Sequence, residues 1–162
     1  IETRRFCPDW WGTAEPVVIT TFNRDENTKS GSIKNIRFFN VIANGENGVL
    51  IHGNAENIIE DVTFENCKIT LTKTSKWDCG MYDLRPCLDW GVEKYDNSAF
   101  FIRYAKNVLI EKTQTMWGNL CDSYKHAIDA ENVENLELVR FDGKAVSPLV
   151  DDIKLNNVKI VK

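Results

Sequence analysis

The stretch "IKNIRFFN", residues 33–40, returns twenty-six residues later as "IEDVTFEN", residues 59–66. Both open aliphatic, polar, Asn or Asp, aliphatic, polar, Phe, and both close on Asn two residues further on. Looser copies follow: "AKNVLIEK" at 105–112, "VENLELVRF" at 133–141 and "LNNVKIVK" at 155–162. Anchoring each copy on the aliphatic residue after its Asn or Asp gives Ile36, Val62, Val108, Leu136 and Val158, at spacings of 26, 46, 28 and 22 residues. The long gap equals one ordinary repeat plus an insertion. Internal repetition of this length is read before any other fold signal.

A second phrase precedes four of the anchors: "EPVVIT", "NGVLIH", "AFFIR" and "HAIDAE". Each alternates at period two, which marks a strand with one buried face. No segment carries a helical stripe over three turns. A leucine-rich repeat lacks its frame here, and a propeller blade needs about 40 residues. The spacing therefore predicts an all-β chain, a right-handed parallel β-helix of about five coils, with one long inserted loop near 71–97. Residues 1–162 read as a single β-helix segment, the C-terminal part of a longer one. "IETRRF" reads as the end of a strand and offers no amphipathic cap, so a partner chain, a missing segment or end-to-end association through exposed coil edges is expected.

Aligning the strands on their anchors turns Val17/Ile19, Val49/Ile51, Phe100/Ile102 and Ile128/Ala130 inward. Val18/Thr20, Leu50/His52, Phe101/Arg103 and Asp129/Glu131 then face outward. Leu50 and Phe101 need cover, which the 71–97 insertion is long enough to supply. The column Asn35, Asp61, Asn107, Asn135 and Asn157 precedes the buried anchors, where Asn and Asp suit a bend.

Composition narrows the function. The 162 residues suit one domain, and the net charge of −4 argues against a general nucleic-acid or membrane-surface binder. No apolar run approaches the roughly 20 residues of a membrane helix. Five cysteines (Cys7, Cys67, Cys79, Cys87 and Cys121) cannot form a complete disulfide framework. Cys67 reads as a core residue. Cys79 and Cys87 share one loop and pair in an oxidising compartment, or stay as thiols. With no CxxC and only His52 and His126, neither a metal site nor a cofactor is expected.

Taken together, "ETRRFCPDWWGTAEPVVIT", "SIKNIRFFNVIANGENGVLIHG", "IEDVTFENCKI", "MYDLRPC" and "WGNLCDSYKHAIDAENVENLEL" resemble the C-terminal coils of bacterial family 28 glycoside hydrolases, the polygalacturonase-like, pectin-degrading enzymes. The resemblance covers nearly the whole chain and is most specific from Trp10 to Cys67 and in "YDLRP". It implies a right-handed parallel β-helix, secretion or a periplasmic location, and inverting hydrolysis of uronic-acid-containing polysaccharide. That chemistry needs a carboxylic acid and a carboxylate base separated by a water. The family's Asn-Thr-Asp, Asp-Asp and Gly-His set is missing here, and Val18-Ile19-Thr20 stand where its Arg-Ile-Lys falls. Asp151-Asp152 lies in the last coil, where adjacent strand residues point apart. No catalytic residue is therefore assigned, and the catalytic coils are expected before Ile1. The alternative reading is a non-catalytic carbohydrate-binding or adhesin-like module.

Candidate substrate-binding residues are Trp10, Trp11, Glu15, His52 and Arg103. The paired tryptophans stack on sugar rings or plug a coil end. Glu15 accepts from sugar hydroxyls or stabilises a turn. His52 and Arg103, neighbours in one outward column, hold a carboxylate or meet the inserted loop. Asp83 and Arg85 are expected to fix that loop by a local ion pair, and His126 to be structural.

Overall fold

The structure is a computed structural model and describes residues 1–7, 12–87 and 91–161. Among these residues there is no helix; the chain is all-β, with twelve strands. They are β1 (Val18–Thr20), β2 (Lys34–Phe39), β3 (Ile42–Gly45), β4 (Val49–His52), β5 (Ile59–Glu65), β6 (Lys68–Leu71), β7 (Tyr82–Asp83), β8 (Val92–Glu93), β9 (Phe100–Glu111), β10 (Gln114–Trp117), β11 (Ile128–Val139) and β12 (Ile153–Val161). The main sheet runs β1-β4-β9-β11-β12, with β2 joined through β5 to β9. A second sheet runs β10-β6-β3. All of these pairings are parallel; only the small β7–β8 pair is antiparallel.

Register follows the repeated phrases. Ile36 sits opposite Val62, Val62 opposite Val108, and Val108 opposite Leu136. In the neighbouring segment Ile19, Ile51, Ile102 and Ala130 form one line and lie in the core with Val49, Phe100 and Ile128. The inward set expected from alternation thus lies in the main core, and its outward neighbours Leu50 and Phe101 are buried in a second cluster. Cys67 joins the same core. Period-two alternation puts one face of each strand inside, and β-branched and aromatic residues fill it.

The bends are set by left-handed residues at fixed offsets. Asn35, Asp61, Asn107 and Asn135 have φ between 54° and 62°. Five residues on, Asn40, Asn66, Lys112 and Arg140 do the same, with φ between 46° and 56°. Asn and Asp tolerate this conformation because a short polar side chain bonds locally. Their amides also bond one another: Asn107 Nδ2 donates to Asp61 Oδ1 at 2.8 Å, and Asn135 Nδ2 to Asn107 Oδ1 at 2.9 Å. The expected column needs one correction. Asn157 stacks on Asn132, donating at 2.7 Å, because Val158 registers with Val133. A shift within β11 and β12 then sets Leu136 against Ile160. The last repeat is thus one bend out of step with the others.

The 71–97 insertion is the cover that the outward Leu50 and Phe101 require. Tyr82 and Leu84 bury both in a second apolar cluster, with Phe22 and Cys87 packed beside it. The loop is not wholly irregular, since β7 and β8 pair within it. Cys79 is disulfide-bonded to Cys121, not to Cys87. The bond therefore ties the insertion to the segment after β10 instead of closing the insertion on itself. Gly48 marks a close approach: a Cβ there would strike the carbonyls of Ser98 and Ala99.

Candidate functional site: the outer sheet face and its cover

Two outward lines cross the main sheet. One runs Val18, Leu50, Phe101, Asp129 and Lys154; the other runs Thr20, His52, Arg103, Glu131 and Asn156. His52 and Arg103 are therefore direct neighbours in register. Both are largely buried, at 8% and 5% exposure, beneath the loop that carries β7 and β8.

Arg103 already has partners. Its Nη2 lies 2.8 Å from Asp129 Oδ1, and its Nε 3.6 Å from Glu131 Oε2. Nη1 donates to the Ile102 and Asp129 carbonyls at 3.0 Å. The guanidinium also lies 3.7 Å over the Phe101 ring and 5.8 Å from the centre of Tyr95. Lys154 approaches the other oxygen of Asp129 at 3.0 Å. A planar guanidinium suits such combined stacking and forked bonding. These contacts make Arg103 the pin that holds neighbouring strands and cover together.

His52 lies between rings, 4.9 Å from Phe22 and 6.1 Å from Phe101 by centroids. Its Nδ1 lies 2.7 Å from the Gly53 carbonyl, which can only accept. Nδ1 thus carries the proton and Nε2 is the free lone pair in the neutral ring. Burial pushes its pKa below the usual histidine value, against the raising effect of that carbonyl and of Glu93.

Phe22 also lines a cleft of about 560 Å³ between the sheet edge and the cover. Asn54, Glu56, Leu84, Val92 and Glu93 line it too. An aromatic face beside amides and carboxylates is a surface on which a sugar ring can stack while its hydroxyls find acceptors. Alternation does not reveal these residues, because they lie on loops or at strand ends. The placement of Asp129 and Glu131 beside Arg103 was available from the strand alignment and is the signal that identifies Arg103 as paired.

Glu15 belongs to a different set of contacts. Its carboxylate accepts from Thr13 N at 2.7 Å, from Thr13 Oγ1, from Asn47 Nδ2 at 3.3 Å and from Asp83 N at 3.4 Å. Burial pushes its pKa up, while the Thr13 hydroxyl and the Thr13 and Asp83 amides oppose the shift. Asn47 continues the network to Asn97 at 2.8 Å. Asp83 accepts from Gly12 N and pairs with Arg85 at 2.6 Å, which fixes the loop as its sequence suggested. Trp10 and Trp11 lie outside the described residues. His126 Nδ1 meets the Asp151 carbonyl at 2.7 Å. Asp151 and Asp152 precede β12 in a bend, not on a strand, and Asp152 is held by Lys144 and by the Ala145 amide. Among the described residues no group of three or more His, Cys, Asp or Glu is placed to hold a metal ion. Comparison with family models, with curated proteins and with solved structures returned no match.

Proposed function

We propose that this chain is a right-handed parallel β-helix segment, similar to part of a family 28 glycoside hydrolase, that holds uronic-acid-containing polysaccharide along its outer face. In this reading the three-sided winding accounts for the parallel registers and the bends at five-residue offsets. The acid and base for inverting hydrolysis come from outside residues 1–162. The protein works outside the cytoplasm, in keeping with the Cys79–Cys121 bond.

The observation that carries the reading is the cleft beside His52, where Phe22 offers a ring and Asn54, Glu56 and Glu93 offer polar groups. Arg103, paired with Asp129 and Glu131, supports the cover instead of reaching a ligand. A non-catalytic carbohydrate-binding module is the second reading, favoured by that full engagement of Arg103.

Retention on polygalacturonate, rhamnogalacturonan and a neutral glucan tests the proposal. The wild type is expected to be retarded by one of the pectic polymers at about 0.15 M salt, where repulsion between its uronates and Glu56 and Glu93 is screened, and not by the glucan. Phe22→Ala should weaken retention about tenfold, the order of one lost stacking contact. No retention of the wild type by either pectic polymer sinks the carbohydrate reading. Release of new reducing ends by this chain alone would place a catalytic pair within it and remove the claim that none is present.

A further inference from the structure

One bend of the sheet carries a residue that does not suit it. In the asparagine ladders each amide donates to the residue one strand earlier: Asn66 to Asn40, Asn107 to Asp61, Asn135 to Asn107 and Asn157 to Asn132. One strand before Asn132 stands Tyr104, between the registered pairs Arg103–Glu131 and Ala105–Val133. It takes the same left-handed conformation, with φ of 49°. That conformation is uncommon for a bulky side chain and suits Asn far better. The ladder stops there. Among the described residues neither Asn132 Nδ2 nor the Tyr104 hydroxyl has a hydrogen-bond partner. A strained residue kept inside an otherwise regular pattern points to a task other than folding.

Tyr104 and Asn132 line a hollow of about 390 Å³, together with Ile58, which is 43% exposed. Ala55 lines both this hollow and the cleft that holds Phe22, so the two adjoin across one small side chain. Lys106 and Glu134 also line the hollow, but they hold each other at 3.1 Å. They belong to a line of registered neighbours, Lys34, Glu60, Lys106 and Glu134, that alternates in sign. Recognition beside Tyr104 therefore falls to an aromatic face, an apolar side chain and an amide donor. A sugar ring presents the matching surfaces, a C–H face to stack and hydroxyls to accept. Phe22 packs on His52 of β4, whereas Asn132 lies on β11, two strand spacings or roughly 10 Å away. One sugar ring does not bridge that distance.

We propose that Tyr104 and Asn132 form a second sugar subsite, and that the two hollows together bind a run of several sugars instead of a single one. One ring stacks on Phe22, the chain passes over Ala55, and a later ring stacks on Tyr104 with a hydroxyl accepting from Asn132 Nδ2. The inference rests on the polysaccharide reading of the Phe22 cleft and adds to it a minimum ligand length and the residues that set it.

The probes are oligogalacturonates and rhamnogalacturonan oligosaccharides of graded length, from two to eight units, titrated calorimetrically against the full chain. In one of the two series affinity should rise about tenfold from the shortest to the longest, the order of one added stacking contact, and then level off. Tyr104→Asn should remove that gain and leave the shortest oligomers bound as before. The same variant should melt about 2–4 °C higher, because Asn suits the bend and can accept from Asn132. Ala55→Trp, an exposed position, should also abolish the gain by blocking the passage between the hollows. Equal affinity at all lengths, or a Tyr104→Asn chain that binds the longest oligomer as tightly as the wild type, overturns the second subsite and leaves the Phe22 cleft standing. A lower melting temperature in Tyr104→Asn gives Tyr104 a structural task and overturns it as well. No binding at any length overturns both this inference and the polysaccharide reading.

Discussion

Asparagine at the bends does two jobs at once. It accepts a positive φ that costs most residues about 1–2 kcal/mol, and it bonds the asparagine or aspartate of the next segment. Asn107 sits mid-ladder and does both. Asn107→Ala is expected to destabilise the chain by about 2 kcal/mol, and Asn107→Gly by about half that, because glycine keeps the backbone and loses only the ladder. Urea unfolding of the two variants separates the contributions; equal losses would mean that the backbone conformation contributes nothing. His52 supplies the pH dependence at this scale. Its folded pKa lies below the ordinary histidine value of about 6.5, so the unfolded chain takes up a proton first as pH falls. Its contribution to stability is complete above about pH 6.5, declines below it, and stops declining beneath the lowered folded pKa. Melting temperatures measured from pH 7.5 down to pH 5 should fall less in His52→Gln than in the wild type; parallel curves would exclude His52 as a source of the slope.

Among the elements, the strands were legible and the cover was legible only in part. Alternation gave the facing of Ile19, Ile51, Ile102 and Ala130, because one side of every strand must be apolar. The need to cover Leu50 and Phe101 followed from the same alternation. Which residues do the covering did not, since Tyr82, Leu84 and Phe22 come from segments that obey no repeat. Cysteine pairing failed for a related reason: Cys79 and Cys87 are near in sequence, but Cys121 is brought to Cys79 by register between distant strands. Asn157 shows a third limit, since a single shift inside β11 and β12 moves it to another bend without changing the local pattern. The disulfide spans 42 residues. By the loop-entropy account, Cys121→Ser should cost about 4 kcal/mol. Hydrogen exchange should show the loss spread from the cover to β9, where Tyr82 packs on Phe101, and to Leu50 beside it on β4; an unchanged melting point would make the bond dispensable.

For the whole molecule, the shared register explains why sequence reading reached the fold further than the site. Repetition averages over many residues, so an all-β chain with parallel sheets emerges from weak local signals. A site depends on a few side chains, and here the two strongest-looking ones are differently occupied. Arg103 is paired and His52 is packed between rings. Phe22, Asn54 and Glu93, which line the cleft, are ordinary loop or strand-end residues to any pattern search. The alternation of Lys34, Glu60, Lys106 and Glu134 has an evolutionary corollary. Duplicating one such unit in tandem would abut two bases or two acids, whereas duplicating an adjacent pair preserves the alternation. Lineages that lengthen this protein by copying are thus steered towards even increments, and an odd increment should carry a compensating change of sign at that position.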